Sequence, residues 1–213
     1  MPLISPEAIG GQITGVTWTA TTIYLTPTTL GAITVNFLMS LSGGLLVGYM
    51  VSKGNAFWTY SGGLAGIITA SAGNDLYHPI QALIIGGFGI WCAYKLHHYV
   101  ERRFKIDDAV GAVAVHGYAG FIGVVIAGFV LWGAPSSPYE GYATINPLGQ
   151  LIGAVIMFGL LGFLPAWIVS KALDKMGVLR IPREIELIGL DFRTQHEFEA
   201  ARQEVRDAEK AMV

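Results

Sequence analysis

Apolar residues in this chain fall in long runs separated by short polar breaks, with no sustained alternation and no narrow helical stripe before the last forty or so residues. A run of about 20 apolar residues, rising 1.5 Å per residue as a helix, matches the roughly 30 Å hydrocarbon core of a bilayer. Four runs reach that length, at residues 30–52, 79–97, 110–132 and 147–172. A fifth, residues 57–73, is crowded with glycine, alanine, serine and threonine. At roughly 25 Å it is barely a crossing and reads as a short membrane helix inside a bundle, a re-entrant or buried segment being the other reading. The pattern predicts an all-α polytopic membrane bundle of about five transmembrane helices. Residues 1–29 form an outside segment, 30–172 the membrane domain and 173–213 a tail.

The polar breaks then assign sides, because lysine and arginine mark cytoplasmic loops. Lys53 follows the first run, and Lys95, Arg102, Arg103 and Lys105 lie at or after the end of the third. The other eight of the 13 basic residues lie at or after the end of the run at 147–172, the fifth in chain order. The remaining breaks contain none, so all the basic residues share one side only if the crossings number five. The expected topology has residue 1 outside and the tail in the cytoplasm, in a cell (plasma or inner) membrane. Residues 1–29 lack a basic, continuously apolar signal peptide, and Val16, Trp18 and Ala20 alternate there with threonines in a strand-like period.

Composition sharpens this picture. Charged residues make up 13% of the chain, about half the roughly 25% usual in soluble domains. Residues 1–170 hold 11 of them and the last 43 residues hold 17. The 28 glycines suit closely packed membrane helices. A net charge of −2 gives no footing for nucleic acid, and the single Cys92 rules out an intrachain disulfide or a cysteine-rich metal site. No catalytic group, metal or cofactor is implied.

His116 is the one histidine placed inside an apolar run; His78 falls in an outside loop, His97 and His98 at a helix end, and His196 in the tail. A titratable group within a membrane helix is costly and marks a functional site by default, the bland alternative being a hydrogen bond that glues two helices. Ala112, His116 and Gly120 recur at i, i+4 and i+8, which puts small residues on either side of the imidazole on one helical face. That spacing admits close helix contact or a narrow conduit. A neutral imidazole can both donate and accept a proton, which suits a small hydrogen-bonding solute.

Three pieces of sequence carry a family likeness. The first is Ser61-Gly62-Gly63-Leu64-Ala65-Gly66-Ile67-Ile68, running on to Ala72-Gly73-Asn74-Asp75 and Pro79. The second is Lys105-Ile106-Asp107-Asp108 leading to Gly111-Ala112-Val113-Ala114-Val115-His116-Gly117 and Gly120. The third is Gly189-Leu190-Asp191 in the tail. Together they resemble the ammonium transporters of the Amt and Rhesus family, over about two thirds of the chain and in the family's order.

The resemblance implies that His116 is the second of two pore histidines, that Ala112 and Gly120 line the pore, and that Ser71 keeps a hydroxyl near the outer recruitment site. It assigns Gly189, Leu190 and Asp191 to a regulatory cytoplasmic tail. Family members have 11 spans, assemble as homotrimers and pass ammonium-derived nitrogen through a pore in each subunit. The five spans here correspond to the last five, so the expected chain is a fragment or half of the full transporter, missing an N-terminal half. Ala109 stands where the family has proline, and Gln195-His196-Glu197 lacks the family's glycine. A membrane ammonium sensor or scaffold subunit is the rival class.

In the tail, Thr194 and Glu197 have capping-box spacing. Phe198, Ala201, Val205, Ala208 and Met212 then make an amphipathic stripe.

Overall fold

The computed structural model describes residues 28–136, 141, 143–181, 186 and 195–211. Its helices are α1 (Leu30–Ser52), α2 (Ala56–Ala70), α3 (Pro79–Phe104), α4 (Val113–Val130), α5 (Pro147–Lys175) and α6 (Gln195–Ala211). Four of them, α1, α3, α4 and α5, are long and apolar enough to cross a membrane. The glycine-rich segment forms α2, whose 15 residues end in a 3-10 turn at Ser71–Gly73. At about 1.5 Å per residue that helix is roughly 22 Å long, shorter than a usual span. Among the described residues no strand forms; Pro135 and Thr144 make an isolated antiparallel bridge between α4 and α5.

The helix ends follow from local chemistry. Thr29 caps α1 by accepting the Ala32 N–H, and Asn55 caps α2 by accepting the Trp58 N–H. His78 closes a capping box on α3: its Nδ1 accepts the Ile80 N–H and its own N–H donates to Gln81 Oε1. Asn146 caps α5, with Pro147 in the first turn where its missing N–H costs nothing. The left-handed residues Lys53 and Lys105 terminate α1 and α3, so α3 runs seven residues beyond the predicted 97.

The chain divides into two compact units, residues 1–159 and 160–213. In the first, α1, α2 and α3 pack backbone to backbone. Ser40, Gly44 and Gly48 on α1 recur every fourth residue, as do Gly62, Gly66 and Ala70 on α2. A Cβ on Gly44 would land on the Gly62 carbonyl oxygen, and one on Gly62 would come within 2.6 Å of the Gly44 oxygen. Small residues at this spacing let helices approach where lipid supplies no hydrophobic drive. Buried Asn36 on α1 then holds the loop before α3, its Nδ2 donating to the carbonyls of Asn74 and Tyr77 at 2.9 and 2.6 Å. In that loop Tyr77 is itself buried; desolvation, with Asp75 nearby, pushes its phenol well above the ordinary range and keeps it neutral.

Helix α4 docks on this frame at Thr69. The Thr69 hydroxyl donates to the Ala65 carbonyl at 2.7 Å, and its backbone carbonyl abuts Gly123 of α4, where a Cβ would collide with it. Farther along, Ala114, Val115 and Ala119 join Trp58, Ala65, Ile90 and Ala93 in one buried cluster. The second unit contains the end of α5 and all of α6. On α6, Phe198, Ala201 and Val205 of the expected stripe are half-buried, whereas Ala208 is exposed, as are the polar positions described on the helix. Thr194 and Met212 lie outside the described residues.

Candidate functional site

His116 lies in a segment of α4, Val113–Tyr118, with π-helical turns. The Ala119 N–H donates to the carbonyl of Ala114, five residues back, as well as to that of His116. Such turns are rare and recur at functional sites. They also modify the expected register. A strict α-helix would hold Ala112, His116 and Gly120 in line, whereas the wider turn rotates Gly120 relative to the imidazole.

Burial separates the two sides of α4. Ala114, Val115 and Ala119 face the α2–α3 cluster and are 0%, 4% and 0% exposed. Ala112, Val113 and His116 are exposed, and Gly120 is half-buried. Thus Ala112 and His116 share the side that α2 and α3 leave uncovered. At Gly120 that side meets Phe158 of α5: a Cβ there would sit 3.2 Å from the phenylalanine ring and 3.6 Å from Ile68. The same ring packs edge-on against Phe121, with centroids 5.8 Å apart. What the face presents is an imidazole with alanine on one side and a glycine-phenylalanine step on the other.

Ser71 begins the 3-10 turn after α2 and is exposed, its hydroxyl donating to the Ile67 carbonyl at 2.7 Å. Two residues on, Gly73 packs against Leu131 at the end of α4. Ser71 is therefore near the Leu131 end, and His116 lies roughly 20 Å along α4 from that end. The structure brings Ala112 and Gly120 to the helix of His116 and leaves Ser71 on a separate element. Gly189, Leu190 and Asp191 lie outside the described residues.

Asp108 has a role the sequence did not assign. Its Oδ1 accepts the Val113 N–H at 3.2 Å and its Oδ2 the Ala114 N–H at 3.0 Å, so one carboxylate caps the helix that carries His116. Gly111, at φ +65°, turns the chain between carboxylate and helix, and a carboxylate at a helix N-terminus is favoured by the helix dipole. The same Oδ2 that accepts from Ala114 also lies 3.6 Å from Nδ1 of His97 on α3. The Asp107-Asp108 pair was legible as a motif. Its reach of five and six residues to backbone donors was not, because that depends on the turn at Gly111.

Comparison with known proteins identifies the family. A family model, the Ammonium Transporter Family, matches residues 12–200. The chain is similar to ammonium transporter Amt1 of Methanocaldococcus jannaschii, 32% identical over 167 residues that cover 76% of this chain and 40% of that protein. It is 35% identical to Amt2 of the same organism over 76% of the chain and 37% of the relative. With ammonium transporter 1 member 2 of Oryza sativa subsp. japonica the identity is 30%, over 90% of the chain and 38% of the relative. No solved structure gives a significant match. The chain spans about two fifths of the length of the curated relatives it matches, which are named as transporters. It belongs to the ammonium transporter family, as a multi-pass membrane protein built of apolar helices.

Proposed function

We propose that this chain is the C-terminal part of a channel-like ammonium transporter, in which the uncovered face of α4 forms one wall of a pore. The observation that carries this reading is the position of His116, a titratable ring in an apolar helix, on the side that its own bundle leaves open. Even a charged side chain at the bilayer centre costs about 2.5–3.5 kcal/mol on insertion scales, and more in simulations, so a bare cation is costly to carry across. Shedding a proton near the mouth avoids that cost. Ammonium would be recruited near Ser71, cross as ammonia past Ala112 and Gly120, and have its proton handled at the imidazole of His116.

Under this reading a second half, carrying the other pore histidine, covers the open face, as paired repeats do around a shared pore. The five predicted spans are the family's last five and the complete protein is a homotrimer in the cell membrane. The one-sided basic residues support a cytoplasmic tail, with Gly189, Leu190 and Asp191 as its regulatory segment. Cysteine labelling tests that topology in a Cys92→Ala background: Thr144→Cys should react from outside and Glu204→Cys from the cytoplasm, and the reverse pattern would refute it.

The functional test is methylammonium uptake in a strain lacking its own transporters. The chain alone should give no uptake; co-expression with the N-terminal half of a relative should restore saturable uptake. In that complex His116→Ala should abolish proton-coupled current, or change the charge moved per nitrogen, while the trimer stays intact. Normal current and selectivity with a weakened trimer would make His116 a helix-gluing residue. Robust uptake by the chain alone would overturn the proposed pore.

A further inference from the structure

At the basic end of α3 a group of side chains takes no part in the proposed pore. His97 and Glu101 are one helical turn apart, and His98 and Glu101 are three residues apart. Adjacent helical side chains normally diverge by about 100°, yet both imidazoles here turn to the same carboxylate oxygen. His97 Nε2 lies 3.9 Å from Glu101 Oε2, and His98 Nδ1 lies 3.4 Å from it. One ligand atom from each of the three residues falls within 4.8 Å of the others.

The rings are held in place. His97 is buried, 4.7 Å from the Trp58 ring and 5.1 Å from the His98 ring, centroid to centroid. His98 packs edge-on against Tyr94 at 4.5 Å. The other ring nitrogen of His97, Nδ1, faces Asp108 Oδ2 at 3.6 Å, the position from which a carboxylate orients a metal-binding histidine.

We propose that His97, His98 and Glu101 bind a divalent transition-metal ion, zinc being the representative case, with Asp108 as the carboxylate that positions His97. Tetrahedral zinc with bonds of about 2.0–2.2 Å sets its ligand atoms roughly 3.3 Å apart. The 3.4 Å pair meets that spacing and the 3.9 Å pair comes within about 0.6 Å of it, a shift open to the solvent-exposed Glu101, while the two imidazole nitrogens, within 4.8 Å of each other, would close by up to about 1.5 Å as the half-exposed His98 ring turns onto the ion. Two imidazole nitrogens select a transition metal over calcium or magnesium, which take oxygen ligands. Three protein ligands leave a fourth position for water. Because Asp108 also caps the helix of His116, an ion here is joined through one carboxylate to the start of α4.

The test uses the full chain without an affinity tag, purified in mild detergent and stripped with chelator. Calorimetric titration with Zn2+ should give one site per chain with a dissociation constant below about 10 μM. His98→Asn and Glu101→Gln should each weaken it at least tenfold, and Asp108→Asn about 10–100-fold, as for outer carboxylates elsewhere. His196→Gln, on α6, should leave it unchanged. Co2+ in the unaltered chain gives a readout that needs no variant: strong visible bands of a four-coordinate ion are expected. A weak octahedral spectrum, binding no tighter than 100 μM, or equal affinity in folded His98→Asn and Glu101→Gln would overturn the site.

Discussion

Gly44, Gly62 and Gly86 in the α1–α2–α3 frame and Gly120 and Gly153 on α4 and α5 are chemically the same residue in opposite circumstances. At Gly44, Gly62 and Gly86 an added methyl would strike the backbone of a neighbouring helix. At Gly120 it would meet only side chains, the Phe158 ring nearest, and at Gly153 it would meet nothing within 4 Å. The first group removes bulk so that two backbones can touch; the second leaves bulk out of a surface that the described residues do not fill. The contrast extends to whole helices: 39% of the most apolar stretch of α3 is buried within the chain, against 6% for α5. A small residue in a membrane helix thus becomes informative only when what lies opposite it is known, and here the frame serves to hold one side of α4 while its other side stays open.

The largest effect should come from filling a backbone contact. Gly44→Leu cannot be relieved by turning a side chain, because the obstacle is the Gly62 carbonyl. Overpacking costs about 1–3 kcal/mol even where side chains can adjust, so the expected outcome is loss of monodisperse protein on size-exclusion chromatography. Gly153→Ala, facing open space, should leave stability unchanged or raise it by up to about 1 kcal/mol through helix propensity. Equal damage from both changes would erase the distinction between the two groups of glycines.

A smaller structural effect with a large functional one is expected on the open face. In a transport-competent complex, Gly120→Leu presses on the Phe158 ring, which can turn aside, so folded yield should stay near normal. Uptake should fall at least tenfold if that face lines the conduit. Unchanged uptake with normal yield would place the conduit elsewhere.

The smallest effect concerns the junction of the two regions. Asp108→Ala removes the acceptor for the Val113 and Ala114 N–H groups, and loss of an N-cap costs about 0.5–2 kcal/mol. Thermal unfolding should shift down accordingly. Asp108→Asn, which keeps an acceptor, should recover most of the loss. A full-sized loss in Asp108→Asn would mean that the negative charge facing His97, and not the cap, is what stabilises the junction.

Much of this molecule was legible as sequence. The runs at 30–52, 79–97, 110–132 and 147–172 became α1, α3, α4 and α5, since lipid leaves a backbone no way to satisfy its polar groups except within its own helix. The weak run became a helix of 15 residues, short because its value lies in close packing rather than in length. His116 was singled out by being titratable in an apolar context, and the family by its Asp-Asp to Val-His-Gly segment. His78 as the cap of α3 and Asp108 as the cap of α4 were not legible. Each depends on a turn that brings a side chain back onto specific N–H groups, and imidazole is an uncommon cap.

What the sequence determined by itself is local in its physics: which segments are apolar enough to cross a membrane and which of them carries a titratable ring. Only the tertiary structure decided which side of α4 is covered, because that follows from Gly123 meeting the Thr69 carbonyl and from Ala114 and Ala119 entering the cluster around Trp58. It also decided the π turns at His116 and the convergence of His97, His98 and Glu101. Helical periodicity can bring residues to one side of one helix. It cannot say how near a neighbouring backbone comes, and in a glycine-packed bundle that approach is settled by atoms far apart in the chain.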